Sequence, residues 1–586
     1  MTDPLLRYYE RELALVKRSL GFYAEEHSHI ASLLDMHQGQ IEDPSLARLL
    51  DGVALLNAKT EMALETQYSQ VIDSLIDVIY PSINQRVPSI GYAELNAPDG
   101  ITENANIPIG SQFSNMIGEQ ECLFQTVDNL AVNPFTITDI SATTAPFLVH
   151  KPEEAELANA ALQIQLSTGD EGVHFSSLTC SDLNFFVKGF ANNADLLVEL
   201  LLSNCLAISL SDSENNTISE LSGVQLQSRV GDPDFKFLPA KGNQFDGFQI
   251  IREFFLFKEK RQFFVIRNFA SAISKVNDHQ CTLNIFLNDI PSEFLRLFDT
   301  DVIRLNVVPI INTFEHISEP ITVDGRRLAY PIQPNSGNDS VIDIIKIQSV
   351  KQITAYGDVE LVPVLGDKYK HSKKTYGTST AYWEAKMNLE RQFEVVVSES
   401  LYQSENATLI ARLLCCNDKL ACSASGELEC RESIDLPGVM TLMYPPSAPQ
   451  DVQNSEKSLS QLIGLLTCNF NSLLQSDDPA SMLKGIFKLF AHDAKNLDEI
   501  NTINNVKFQT QVSTLRVHNK NVFVPGTEIT VELNSEMPYH SFSIVMNEFF
   551  KQFCSFDRYI QLSVNLYGKP QSGLCFAKVH GNQLCL

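Results

Sequence analysis

His27 and His29 stand one residue apart in "YYERELALVKRSLGFYAEEHSHIA" (residues 8–31). Paired imidazoles invite a metal reading, since neutral histidine is the commonest metal ligand. The surrounding pattern is helical, however, and positions i and i+2 of a helix point about 200° apart. The two rings therefore do not share an ion, and the stretch reads as a solvated or packed helix end. Cys415, Cys416, Cys422 and Cys430 form the tightest cysteine group, but their spacing matches no common zinc pattern. Asp232-Pro-Asp234 is too short for a calcium loop and runs into Phe235. No Gly-rich phosphate loop, no G-x-S-x-G elbow and no H-E-x-x-H occurs. Carboxylates are so frequent that no pair stands out as an acid/base couple. Trp383, in "AYWEAK", reads as a packing anchor, and Arg326-Arg327, in "DGRRLAY", as a turn with solvated arginines. "NNT" (215–217) is a glycosylation sequon that a cytosolic chain would not use. No catalytic, cofactor-binding or metal-binding residue is assigned, and no enzyme is expected.

The elements around these residues carry more information. Asp3-Pro4 is a capping residue followed by proline at a first helical position. Tyr9, Leu13, Val16 and Leu20 then recur at 4, 3 and 4, which makes one apolar face. "YYERE" is a helix start, with acids near the positive end of the dipole and half-buried tyrosines. Asp43-Pro44 repeats the start signal, and Leu46, Leu49, Leu50, Val53 and Leu56 follow as a face. Leu64, Tyr68, Val71, Leu75 and Val78 continue at 4, 3, 4 and 3 until Tyr80-Pro81 ends the run. A seam of period near 3.5 wants another helix along it. That helix lies either in the same domain or in another chain, and the spacing is compatible with both. Leu64, Tyr68, Val71 and Leu75 are the candidate partner-binding seam.

From about residue 88 the texture changes to short apolar runs between Gly, Pro, Asn and Asp: "IPIGSQF", "LQIQLSTGD", "FKFLPAKGN", "RQFFVIRNF", "CTLNIFLNDI", "LVPVLGD" and "RQFEVVVSES". This is strand-and-turn composition, and it continues to about 440. "MYPPSAPQ" (443–450) is a connector. Helical texture returns over 456–495, with "SLSQLIGLL" and then Asp478-Pro479 leading into "ASMLKGIFKLF". A strand ("TEITVEL"), a helix ("SFSIVMNEFFKQFCSF") and further strands close the chain. The expected class is α+β and multidomain. Long N-terminal helices occupy 1–90, β-rich domains of sandwich or barrel type occupy 91–310 and 311–442, and a mixed α/β region occupies 443–586.

Bulk properties narrow the function further. A length of 586 residues predicts about three to five domains. Lys+Arg is 44 against 71 Asp+Glu, a net charge of −27. Phosphate backbones and anionic membrane surfaces both need a basic face, so neither is an expected partner. The most apolar stretch, "LLVELLLSNCLAISL" (196–210), contains Glu199 and Asn204. It is shorter than the roughly 20 apolar residues of a spanning helix, so it reads as core. No secretory signal opens the sequence. A cytosolic location with the 12 cysteines reduced is expected.

"YYERELALVKRSLGFYAEEHSHIA" resembles the opening of the type VI secretion baseplate family TssF, also called ImpG or VasA. Its members begin with a YYERELxxL-like helix and an EHPxIA-like turn. Ser28-His29 stand where Pro-Lys is usual, so His27 alone matches. "DPSLARLLDGVALLNAKTEMALETQYSQVIDSLIDVIYPSINQRVPSI" (43–90) is similar to the family's next segment. "REFFLFKEKRQFFVI" (252–266) is similar to its EYFxFPEKFLFF segment, with Lys258 replacing a proline. "LNVVPIINTFEHISEPI" (305–321), "LLCCNDKL" (413–420) and "PGTEITVEL" (525–533) follow in order.

The resemblance implies a structural subunit, similar to the wedge proteins of contractile tail baseplates. It implies two copies embracing one TssG-like subunit, TssK-like adaptors attached to that unit, and six wedges around a spike hub. It implies a cytoplasmic protein recruited to a baseplate docked at the inner membrane, with no nucleic acid, no cofactor and no direct membrane insertion. Rival readings are an enzyme delivered by the same machine, a β-rich ligand-binding protein, and a wedge subunit of another contractile apparatus.

Overall fold

In a computed structural model of the chain, the described residues are 4–27, 29, 36–37, 40–41, 44–79, 86–96, 105–189, 193–238, 247–324, 326–335, 341–354, 357–364, 381–388, 392–398, 407–432, 436–450, 477–491, 493–517, 520–535, 540–555 and 558–581. The chain divides into two compact units, Met1–Ile79 and Tyr80–Leu586.

The first unit is a helix pair. Helix α1 (Pro4–Glu26) and helix α2 (Pro44–Ile79) begin at the two Asp-Pro signals, and α2 stops before Tyr80-Pro81. A two-residue ladder, Met36–His37 with Gln40–Ile41, lies between them in sequence. Tyr9, Leu13, Val16 and Leu20 are all half-buried, as their spacing predicts. On α2 the inward residues are Ala54 and Ala58, both fully buried. The expected face of Leu49, Val53 and Leu56 points outward instead. Small residues let two helix backbones approach closely, so alanines fill the single seam of a two-helix pair and the leucine stripe has no place in it.

The second unit opens with a closed barrel. Its strands run in the order Val307–Ile311, Ile90–Asn96, Val439–Leu442, Glu427–Cys430, Gln112–Ile117 and Gln120–Thr126, and Ile310 opposite Thr126 closes it. Period-2 alternation sends Ala93 and Leu95 into the barrel core with Phe113, Phe124 and Met440. Tyr92 on the other face packs with Phe186, Phe237 and Phe263. The barrel takes strands from both segments expected as separate β-rich domains.

Thr217–Ser222, Cys205–Ser211, Gln280–Leu287, Ala160–Ser167 and Thr136–Thr144 form a five-stranded antiparallel sheet, in that order. It shares one core with a four-stranded sheet that includes Leu183–Val187 and Phe263–Ile266. Two further sheets, built around Ala407–Cys416 and around Tyr382–Met387, enclose a third core. Trp383 lies buried in that core, in keeping with its reading as a packing anchor. Arg326 sits in an exposed turn, its N–H donating to Asp324 at 3.1 Å.

Two helices of ten or more residues interrupt the expected β texture: α3 (Ala194–Asn204) and α4 (Gly247–Leu256). Helix α4 is buried from Gly247 to Phe255, including Gln249, Arg252 and Glu253, which fall on one face. Its ten residues are too short a run for that spacing to stand out from the strand-and-turn texture on either side. "FKFLPAKGN" also reads as a strand. Phe235–Leu238 instead follow a turn that sinks both phenylalanines into the core, and 239–243 lie outside the described residues.

The C-terminal part begins with α5 (Pro479–Lys488), capped by Asp478, whose carboxylate accepts the Ser481 N–H at 3.0 Å. "SLSQLIGLL" lies outside the described residues. After α6 (Ala494–Asn501), strands Ile503–Val517 and Lys520–Leu533 form a hairpin. Helix α7 (His540–Phe553) crosses over to Tyr559–Leu566, which pairs parallel to the hairpin's second strand. Phe248, Phe254 and Phe255 of α4 pack on Phe490, Phe542 and Phe487. Glu199, the charge inside the apolar run of α3, accepts the backbone N–H groups of His540 and Ser541 at the start of α7. A carboxylate suits the positive end of a helix, which explains a glutamate in a core-forming stretch.

None of the ten described cysteines is in a disulfide. Burial pushes the thiols of Cys180, Cys205, Cys281 and Cys415 up to about 12, so they behave as small apolar groups. No helix among the described residues is long and apolar enough to cross a membrane.

Candidate partner interface

The residues singled out for chemistry do not converge. His27 and His29 are both exposed. The His27 ring leans on Tyr23, with centroids 4.8 Å apart, and the His27 backbone N–H donates to the Tyr23 carbonyl. No group of metal-ligating side chains occurs among the described residues.

What stands out instead is the outer surface of the helix pair. Leu49 and Leu56 are each 66% exposed, Leu64 is 61% exposed, and Val53 lies between them. At 100° per residue these four positions fall within an arc of about 80° on α2. Thr60 falls on the same arc, and its hydroxyl donates back to the Leu56 carbonyl at 2.9 Å, which satisfies it locally. By sequence spacing Tyr68, Val71 and Leu75 continue the arc toward Ile79. Their backbone is helical, and their side chains lie outside the described residues.

Helix α1 contributes a second apolar strip. Leu15 and Tyr23 on α1, with Val16 and Leu20, line a shallow open groove against Leu50 and Asn57 of α2. Leu6 and Phe22 are exposed as well. Beyond the groove the pair is pinned by an ion pair between Arg11 and Glu61. The hydrogen bond from Arg11 holds the Glu61 carboxyl below its ordinary range, and Arg11 is exposed while Glu61 is half-buried. Such a pair sets the alignment of the helices more than their stability.

An isolated two-helix pair buries one seam. This one leaves Leu49, Val53, Leu56 and Leu64 of α2 exposed on one face along about four turns. Soluble proteins rarely expose contiguous apolar surface of this kind unless another surface covers it. The geometry is that of helix-in-bundle packing, in which residues at i, i+4, i+7 and i+15 insert between the side chains of a neighbour. Of the four seam residues expected from sequence, the structure describes the side chain of Leu64 alone and leaves it in solvent. Sequence reasoning did not separate the stripe of Leu49, Val53 and Leu56 from the buried face. The signal that separates them is Ala54 and Ala58, four apart on the opposite side.

Comparison with known proteins was made on the whole chain. Residues 1–583 match the family described as "Type VI secretion system, TssF". A curated relative, type VI secretion system component TssF1 of Pseudomonas aeruginosa, is 22% identical, with 96% of each chain covered. A chain in a solved TssK-TssF-TssG baseplate subcomplex of a type VI secretion system superposes with a TM-score of 0.73 at 18% identity, over 92% of this chain and 99% of that one. A chain in a solved type VI baseplate complex superposes with a TM-score of 0.59 at 16% identity, over 99% of this chain and 100% of that one.

Proposed function

The chain belongs to the TssF family of type VI secretion baseplate components, and from that premise we propose that it is a non-catalytic wedge subunit. In this reading two copies join one TssG-like subunit, and TssK-like adaptors attach to the unit they form. Wedges assembled in this way surround the spike hub and prime the sheath and tube that deliver effectors. The subunit acts in the cytoplasm and is recruited to a baseplate docked at the inner membrane.

The single observation that carries the reading is the exposed aliphatic stripe of α2. In this reading the subunit is held by helices from neighbouring chains, and the exposed Leu49, Val53, Leu56 and Leu64 meet such a helix. The seam proposed for the bundle therefore runs from Leu49 to Leu75, with Leu64, Tyr68, Val71 and Leu75 as its distal knobs. A subunit present twice around one partner uses the same surface in two settings. A helix stripe suits that demand, because bundle packing tolerates different neighbours with similar knobs.

Co-expression of this chain with the TssG-like protein of the same bacterium tests the proposal. The expected product is a stable complex whose mass contains two copies of the 65.4 kDa chain per partner. A lone monomer that ignores the partner contradicts it.

A further inference from the structure

The connection between strands Thr136–Thr144 and Ala160–Ser167 is fifteen residues long, at 145–159, and it is fixed in place throughout. The Ala145 N–H donates to Asn159 O at 3.0 Å, and the Asn159 N–H donates to Leu287 O at 3.1 Å. Inside the loop, Ala155 N–H reaches Pro152 O and Ala158 N–H reaches Ala155 O. The Lys151 ammonium donates to the carbonyls of Glu156 and Ala158. Ala155 and Ala158 pack on Ala207 and Phe286 in a small core of their own, and Phe147 meets Phe286 edge to face at 5.5 Å.

This scaffold holds two leucines out in water. Leu148 is 91% exposed and Leu157 is 75% exposed. Glu153, Glu154 and Glu156 are exposed in the same loop. Lys151, the one Lys or Arg between Ala145 and Asn159, spends its ammonium on the loop's own carbonyls. Nothing in the loop therefore neutralises the three carboxylates.

We propose that loop 145–159 is a second docking element, separate from the helix pair. It seats Leu148 and Leu157 in an apolar pocket framed by Lys or Arg on a partner within the same assembly. The charge decides among occupants. A second copy of this chain carries −27 and the same three carboxylates, so loop against loop repels. An anionic membrane repels the loop as well. A basic protein surface attracts it, and a loop already ordered loses little freedom on docking. The proposal rests on the wedge reading for the identity of the assembly.

Hydroxyl-radical footprinting, read by mass spectrometry, tests it. The chain is labelled alone and in its co-purified complex with the TssG-like and TssK-like subunits. The complex is first verified by mass, so failure of assembly is seen separately and brings down the wedge reading together with this one. In the verified complex, oxidation of Leu148 and Leu157 is expected to fall roughly tenfold, as for side chains entering the dry centre of an interface. High salt that leaves the helix-pair contact intact should restore much of the labelling, because the framing charges are then screened. Equal labelling in the free chain and in the verified complex overturns the proposal. Protection that appears in the chain alone as its concentration rises assigns the loop to self-association and overturns it too.

Discussion

Replacing Leu56 and Leu64 together with aspartate is expected to abolish assembly with the TssG-like partner and to leave the free chain folded. Each leucine contributes about 1.5–3 kcal/mol when fully buried. Two such losses weaken association by roughly two to four orders of magnitude, before the cost of burying a carboxylate is added. In the free chain both side chains are mostly in water, so the substitution removes little internal packing. The contrast is Leu50→Asp on the same helix. Leu50 is half-buried and faces α1, so this change should loosen the helix pair itself. Circular dichroism and size-exclusion chromatography with the partner separate the two outcomes. If the Leu56/Leu64 variant loses its helical signal as the Leu50 variant does, the stripe is an internal seam rather than an interface.

The second large effect is expected at Glu253, far from that surface. Its carboxylate is buried and accepts four donors: Phe237 N–H at 3.1 Å, Leu238 N–H at 2.9 Å, the Gln249 amide at 3.0 Å and the Lys260 ammonium at 2.6 Å. The ammonium also lies over the rings of Phe235 and Phe237. One carboxylate thus ties helix α4, the turn Lys258–Gln262 and the chain at Phe235–Leu238 into one block, within the family-like segment 252–266 and its neighbour. Glu253→Ala leaves a buried cation and two backbone N–H groups without partners, and breaking a buried pair in this way costs about 3–5 kcal/mol. Replacing Lys260 with methionine at the same time removes the orphan charge but not the orphan N–H groups, so rescue should be partial.

The same site sets an acid response. Burial pushes the Glu253 carboxyl up, but the Lys260 charge and the hydrogen bonds from Lys260, Gln249 and Leu238 outweigh it and hold the group below 4.5. A carboxyl lowered in the folded state contributes stability that is complete above its unfolded value and is lost as pH falls through the folded one. Wild type should therefore lose this contribution below about pH 4.5, whereas Glu253→Gln has none to lose. Glu199 and Glu499 act with the opposite sign. Burial raises both, although Arg261 beside them lowers them in part, so their burden on the folded state is relieved as pH falls toward 4.5. Denaturant midpoints of wild type and Glu253→Gln from pH 7 to pH 3.5 should converge at the acid end. A constant gap between them would remove Glu253 from the account.

How much of this was legible in the sequence depended on whether a local signal stood alone. Asp3-Pro4, Asp43-Pro44 and Asp478-Pro479 each mark the start of a helix, because cap and proline act within one turn and owe nothing to tertiary context. The α+β class followed from the change of texture near residue 88. Helix α4 was hidden because its ten residues are short and lie inside a long stretch of strand-and-turn texture, although Gln249, Arg252 and Glu253 share one face. The barrel was hidden for a different reason. Its strands lie at 90–126, 307–311 and 427–442, and nothing local links Ile310 to Thr126 or Cys430 to Phe113. Of the interface, the seam from Leu64 to Leu75 was readable as an apolar repeat, but which side of α2 faces α1 was not. That choice turns on Ala54 and Ala58, whose small size, rather than their hydrophobicity, selects them for the close seam.

The central claim is that the aliphatic stripe of α2 is covered by a neighbouring chain in the assembled wedge. Amide hydrogen exchange over Pro44–Ile79, compared between the free chain and the purified complex with the TssG-like subunit, tests it most directly. A helix pair that buries only one seam opens readily, so exchange in the free chain should be fast along the outward face. In the complex the account predicts strong slowing from Leu49 through Leu75, with the cores of the second unit unchanged. A complex of the expected mass in which Pro44–Ile79 exchanges as it does in the free chain would contradict the account, since the partner would then be held elsewhere.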